Sequence, residues 1–237
     1  VLLILGLILF SAIVRPPKEE ENYADVEDTS VKVTEVFKHK SVYIIAIGGI
    51  GFGIAIMTFA TWIASYWQAC AGLDAATANS IVGYVYLAEI FTAILGGWIL
   101  TRVKLLKNRK RLVCIDGILY AFVFFAAYHV VDMWAIVVVC CLYCVLEGIF
   151  AAAMWTFVTQ TTPDPRLAGA ATAFFSMFLN LGMMLGGPVA GSILDATGGT
   201  GWGYIAIVAT VAQLIGGACF GLMKLHGDDE EGNAIQA

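Results

Sequence analysis

Trp134-Ala135-Ile136-Val137-Val138-Val139-Cys140-Cys141-Leu142-Tyr143-Cys144-Val145-Leu146-Glu147-Gly148-Ile149-Phe150-Ala151-Ala152-Ala153-Met154-Trp155-Thr156-Phe157-Val158 is an apolar run whose one charged member is Glu147. Coiled as a helix it is about 37 Å long, enough to cross a hydrocarbon core of roughly 30 Å. A strand of a membrane barrel would need only about 10 residues and would alternate apolar with polar, which this run does not. The stretch reads as a membrane helix with an acid near its middle. Five more segments of the same kind flank it: Val42–Gln68, Thr77–Leu100, Val113–Val130, Leu167–Leu194 and Gly203–Met223. The separators are short and rich in Asp, Gly, Pro, Lys or Arg.

The whole composition agrees. Of 237 residues 60% are hydrophobic and 13% charged, against about 45–50% and about 25% in soluble domains. A water-soluble globule with this composition would expose large apolar patches and aggregate, and disorder is excluded by the same excess. The net charge of −5 argues against nucleic acid as a partner. The partner implied is the lipid bilayer, and the fold class is an all-α membrane protein.

Basic residues set the expected orientation. If the chain enters the cytoplasm at Arg15, the cytoplasmic pieces are residues 15–41, 101–112, 159–166 and 224–237. They hold all 13 Lys and Arg residues, as the positive-inside rule asks. Trp67, Trp98, Trp134, Trp155 and Trp202 fall near expected helix ends, where indoles favour the interface. Trp62 lies deeper.

The division along the chain follows. Residues 1–14, a run of about 21 Å as a helix, are too short to span and read as the end of a truncated transmembrane helix. Residues 15–41 form a cytoplasmic central loop, acidic at Glu19-Glu20-Glu21 and with a short interfacial helix expected near its end. Residues 42–223 form a six-helix bundle, and residues 224–237 a disordered cytoplasmic tail.

Two stretches carry a family resemblance. One is Gly96-Gly97-Trp98-Ile99-Leu100-Thr101-Arg102 with Asn108-Arg109-Lys110-Arg111; the other is Pro163-Asp164-Pro165-Arg166-Leu167-Ala168-Gly169 with Gly182-Met183-Met184-Leu185-Gly186-Gly187-Pro188-Val189-Ala190-Gly191. With the six spans and the charged central loop, they resemble the C-terminal half of a major facilitator superfamily transporter. The resemblance implies six transmembrane helices in a 3+3 arrangement after the end of a preceding helix. It also implies an N-terminal six-helix half as partner, without which the chain would be inactive. The first stretch is similar to the family's basic loop, implying a cytoplasmic gate at Arg102, Arg109 and Asp116. Thr101 stands where the family's Asp usually sits, so a loop that only enforces topology explains the stretch equally well. Asp116, about one turn inside the membrane, is expected to pair with the basic loop. The glycines of the second stretch, at four-residue spacing, read as close helix packing, and Pro188 as a kink tolerated inside a bundle.

Charge deep in a bilayer costs about 2.5–3.5 kcal/mol on insertion scales and marks functional positions. Glu147 and Glu89 lie near the middle of their segments with no Lys, Arg or His at that depth. Either they are protonated, or a cationic substrate, water or the other half neutralises them; the alternative is hydrogen-bonded structural glue. The first and fourth helices of a half line the central cavity in the family, which the resemblance extends to Glu147 for proton coupling, with Glu89 beside it. A polar stripe on the first segment carries Thr58, Thr61, Ser65 and Gln68 with Trp62, and another on the fifth carries Thr172, Ser176 and Asn180. Trp62, Asn180, Thr58, Ser65 and Ser176 are the expected substrate-cavity residues, although Ser and Thr can also bond their own helix.

Other signals fail. Cys141-Leu142-Tyr143-Cys144 sits inside a span without a second ligand pair, so it reads as small apolar filler. His39, His129 and His226 are far apart in sequence, and no metal site or cofactor is expected. The expected function is half of a secondary transporter, proton-coupled and working by alternating access on a small solute in the cytoplasmic (plasma) membrane. A channel-like or structural subunit and an intramembrane enzyme are the alternatives; the last would need a paired nucleophile and base that the spans lack.

Overall fold

A computed structural model describes residues 32–103 and 106–226. The run over 1–14, the acidic part of the central loop and the tail beyond His226 lie outside the described residues. Six helices match the six apolar segments: α1 (Lys40–Ala71), α2 (Ala75–Arg102), α3 (Leu106–Ala127), α4 (Met133–Val158), α5 (Ala168–Ala196) and α6 (Trp202–Leu222). No strand occurs among the described residues. The short interfacial helix expected before the first span is a 3-10 turn, Val33–Lys38, with Val36 buried.

Local chemistry fixes the ends. α1 stops at Gly72, whose φ of 68° is the left-handed conformation that glycine adopts without strain. Asp74 then caps α2, accepting from the Thr77 backbone N–H at 3.0 Å and from its hydroxyl at 2.6 Å. Asp132 caps α4 through the N–H groups of Trp134 and Ala135. Both follow the preference of carboxylates for a helix start, where free N–H groups need acceptors.

Five of the six helices are long and apolar enough to cross a membrane by length and composition; α3 is the other. Its first residues include Lys107, Arg109, Lys110 and Arg111, and it ends at Ala127 rather than Val130. The apolar remainder, from Leu112, is about 24 Å long and carries Asp116.

Packing interlocks the first three helices with the last three. α1 lies between α5 and α6, α2 rests on α4, and α3 on α6 and α4. Small residues make the approach possible. A Cβ at Gly186 of α5 would stand 2.6 Å from the Ile54 carbonyl oxygen of α1, and one at Gly117 of α3 would stand 2.7 Å from the Gly217 Cα of α6. The glycine spacing is therefore a packing device, as in other membrane helix pairs. α5 buries a single stripe against α1: Ala171, Phe175, Leu179, Gly182, Gly186, Ala190 and Leu194.

The basic stretches meet at one end of the bundle. The Ser41 hydroxyl donates to the Lys224 carbonyl and accepts from its N–H. Lys110 Nζ donates to the Met223 carbonyl at 2.6 Å, and the His226 N–H donates to the Gln160 carbonyl. The other end holds Asp74, Asp132 and Asp195, and no Lys or Arg among the described residues.

Tryptophan departs from the interface expectation at one position. Trp67 is fully buried, because it shares the core face of α1 with Phe59, Ile63 and Tyr66. Trp98, Trp134 and Trp155 are exposed, as belt residues should be.

Candidate functional site

Three helices bring acids toward one another inside the bundle: Glu89 on α2, Asp116 on α3 and Glu147 on α4. Glu147 is 8% exposed and Asp116 4%. Glu89 and Glu147 lie on the packed pair α2 and α4, and Asp116 lies on α3, which also packs on α4. Tyr120, one turn from Asp116 on α3, and Tyr143, one turn from Glu147 on α4, have ring centroids 5.3 Å apart. The Tyr143 ring is stacked on Phe59 at 4.2 Å and edge-on to Phe124 at 5.7 Å, so this polar group sits in an aromatic cage. One oxygen each of Glu89 and Asp116, and the hydroxyls of Tyr120 and Tyr143, are buried without a hydrogen-bond partner in the protein. The ion pairs Lys38–Glu35 and Arg166–Asp164 lie at the basic end, away from these acids.

Asp116 departs from its expected role. It makes no ion pair with Arg109, Lys110, Arg111 or any other described basic residue and is buried inside the bundle, one carboxyl oxygen without a partner. Helical phase explains this: at 100° per residue Asp116 is about 140° around α3 from Arg111. Arg109 shares its face but lies two turns away, about 10 Å along the axis, and its Nε donates to the Val103 carbonyl. Sequence reasoning also passed over Tyr120 and Tyr143. A signal was present: Asp116/Tyr120 and Tyr143/Glu147 are both i,i+4 pairs, which places acid and phenol on one helix face.

The expected substrate-cavity residues on α1 are largely turned inward to α5. Thr58 is 1% exposed, and its hydroxyl donates to the Gly186 carbonyl at 3.1 Å. Trp62 Nε1 donates to the Gly187 carbonyl at 3.0 Å. Tyr128, the residue after α3, donates to the Thr58 carbonyl at 3.0 Å. Thr58 and Trp62 thus form a latch onto the Gly186-Gly187-Pro188 stretch rather than the wall of a solute chamber. Trp62 is deep because it follows Thr58 by four residues on the same face. Ser65, half-buried, lies nearly two turns beyond Thr58 along α1.

On α5 the polar stripe bonds its own helix. Thr172 donates to the Ala168 carbonyl, Ser176 to that of Thr172 and Asn180 to that of Ser176, each at 2.8 Å. The Asn180 amide thus makes the same local bond as the hydroxyls. Asn180 remains exposed.

The basic loop holds helix ends. The donation from Arg109 to Val103 and that from Lys110 to Met223 satisfy carbonyls at the C-terminal ends of α2 and α6, a placement that also suits the helix dipole. Arg102 lies over the Trp98 ring, 4.8 Å from its centroid. In the α4–α5 turn the Arg166 side chain and N–H hold the Asp164 carboxyl below the usual carboxylate range.

All six cysteines are free, and Cys141 and Cys144 are not joined. Cys140 and Cys144 are buried as expected of filler, whereas Cys141 is exposed. His39 and His226, distant in sequence, meet with ring centroids 5.8 Å apart because α1 begins where α6 ends. Among the described residues no group of three or more His, Cys, Asp or Glu could hold a metal ion.

The chain matches the Major Facilitator Superfamily over residues 1–170. It is also similar to the MFS-type transporter pynF of Aspergillus niger, with 22% identity over 216 residues, covering 90% of this chain and 47% of the relative. The chain therefore spans about half the length of the curated relative it matches. The six interlocked helices, their confined basic end and the family match over most of the length make this integral membrane protein a member of the Major Facilitator Superfamily.

Proposed function

We propose that the chain is the C-terminal half of a secondary transporter that moves a small solute across the cytoplasmic membrane by alternating access, with proton coupling through Glu147. The observation that carries this reading is the placement of Glu147. It is an acid buried inside the bundle, on a helix packed against those of Glu89 and Asp116, with no Lys, Arg or His among the described residues at its depth. Such a group can take a proton when its surroundings open to one side and give it up when they open to the other. Glu89 and Asp116 are the second and third stations of the same path. The basic end, holding Lys110, Arg109 and Arg166, faces the cytoplasm, as the positive-inside rule directs. The partners are protons, a small-molecule substrate, the bilayer and an N-terminal six-helix half, since alternating access requires two bundles moving against each other.

The test is uptake by proteoliposomes under an imposed pH gradient. Glu147→Gln keeps the shape and removes the titrating group. The expected result is loss of gradient-driven uptake with solute exchange retained and the helix content unchanged. Unaltered uptake with an unaltered pH profile refutes the coupling role.

A further inference from the structure

Two phenols inside the bundle have no task in the coupling reading. Tyr120 of α3 and Tyr143 of α4 are fully buried, and neither hydroxyl has a hydrogen-bond partner in the protein. A buried hydroxyl left unpaired carries a desolvation penalty, so two whose rings touch call for a reason. Packing supplies none. Phenylalanine would stack on Phe59 as Tyr143 does and tilt against Phe150 as Tyr120 does, without the penalty. Tyr128, also buried, shows the ordinary arrangement, its hydroxyl donating to the Thr58 carbonyl.

The reason lies in what stands next to them. Tyr120 is one helical turn from Asp116, and Tyr143 is one turn from Glu147, both as i,i+4 neighbours. Long side chains on a helix lean toward its N-terminus. Tyr120 therefore leans over the turn that carries Asp116, and Glu147 leans back over the turn that carries Tyr143. The two rings meet across the α3–α4 contact with centroids 5.3 Å apart. Asp116, Tyr120, Tyr143 and Glu147 thus make one file from the acid of α3 to the acid of α4. The other rings against the two phenols include Phe52, Phe59, Phe124 and Phe150, and none of these can take a proton.

More unpaired polar atoms gather beside the file. One oxygen of Asp116 is buried without a partner. Gln213 of α6 is fully buried with neither amide atom paired. It precedes by three residues Gly216, whose Cβ would stand 3.6 Å from the Phe150 ring and from the Phe52 backbone nitrogen. Phe52 and Phe150 are the rings tilted against Tyr120, so Gln213 lies on the same inner face. Donors and acceptors from three helices are brought together in this way, and buried groups of this kind are satisfied by internal water.

We propose that Tyr120 and Tyr143, bridged by internal water, relay a proton between Asp116 and Glu147. Protonated Asp116 gives its proton to the next oxygen in the file. Each hydroxyl or water along it accepts one proton and passes on another, and the Glu147 carboxylate takes the last. One O–H bond breaks at Asp116 and one forms at Glu147, while the phenols begin and end neutral and nothing is oxidised or reduced. The inference rests on the coupling role of Glu147 and names the residues that join it to α3.

The experiment uses the complete transporter in proteoliposomes and compares two rates in each variant. One is uptake driven by an imposed pH gradient; the other is solute counterflow, which moves no net proton. Tyr120→Phe and Tyr143→Phe should each lower driven uptake by about a hundredfold, the lower end of what a proton-transfer group contributes, and leave counterflow unchanged. The double variant should be no slower than either single one, because a file cut once is already cut. Tyr128→Phe, a buried phenol off the file, should keep the ratio of the two rates at the parent value. Driven uptake at the parent rate in both file variants overturns the relay. Equal slowing of both rates overturns it too, since the phenols then only hold the fold. If one variant does not fold, the other, on a different helix, carries the test; failure of both to fold makes the hydroxyls structural and overturns the relay. Glu147→Gln in the same assay separates the two ideas. Loss there without loss in the phenol variants strikes the relay alone, and no loss there strikes the coupling role and the relay together.

Discussion

Gly186→Ala puts the α1–α5 seam to a quantitative test. The new methyl would lie 2.6 Å from the Ile54 carbonyl oxygen and 3.1 Å from the Thr58 backbone nitrogen. Backbone atoms cannot swing aside as a side-chain tip can. Restoring an ordinary contact of 3.4 Å at Ile54 requires the helices to part by about 0.8 Å there. The latch lies at the same level. Moving apart by that amount stretches the Thr58–Gly186 and Trp62–Gly187 bonds from 3.1 and 3.0 Å to nearly 4 Å, beyond hydrogen-bonding range. Overpacking costs about 1–3 kcal/mol, and two lost interhelical bonds add about 0.6 kcal/mol each in a membrane. Better helix propensity returns about 0.8–1 kcal/mol. The expected net loss is about 1–3 kcal/mol. Reversible unfolding in mixed micelles measures it. Gly97→Ala serves as control, since its Cβ meets nothing within 4 Å, and it should be neutral or slightly stabilising. If Gly186→Ala unfolds like Gly97→Ala, the seam is not held by close backbone approach and the reasoning is wrong.

Further expectations concern the caps, the ties and the acid limb. Asp132→Ala removes the acceptor for Trp134 and Ala135 at the start of α4 and should cost about 1 kcal/mol in the same unfolding assay. Tyr128→Phe should cost about 0.5–1.5 kcal/mol through loss of its bond to the Thr58 carbonyl. Lys110→Met frees the Met223 carbonyl, and trypsin should then cut at Lys224 faster than in the parent, followed by mass spectrometry. The Thr77 hydroxyl and N–H hold Asp74 below the usual carboxylate range. A depressed folded value stabilises the protein above the unfolded pKa of about 3.9, and this contribution disappears as pH falls through the folded value. Asp74→Asn should flatten the acid-side fall of the melting temperature; an unchanged slope would assign that fall to other groups.

The helices were legible because apolar length is a coarse signal that no tertiary contact overrides. Segments such as Trp134–Val158 have one solution in lipid. Basic residues were equally legible, since their confinement to alternate links depends only on chain order, and the contacts of Ser41, Lys110 and Gln160 with residues 223–226 bring those links to one end. The polar interior was read with the right residue types and partly wrong partners. Thr58 and Trp62 share a face in any helical reading, but whether that face meets solute or another helix depends on where α5 packs. Asp116 was misassigned because distance from Arg111 along the chain was weighed and rotation around the helix was not.

The short segment after α6 has a consequence for assembly. Met223, Lys224 and His226 tie down Lys110 of α3, Ser41 of α1 and Gln160 in the α4–α5 turn. These residues emerge from the ribosome only after all six helices, so until then the basic end lacks its fastening. Insertion and closure are thereby separated in time. Helices can enter the bilayer one after another and still adjust their register, and the drawstring is pulled only when the set is complete.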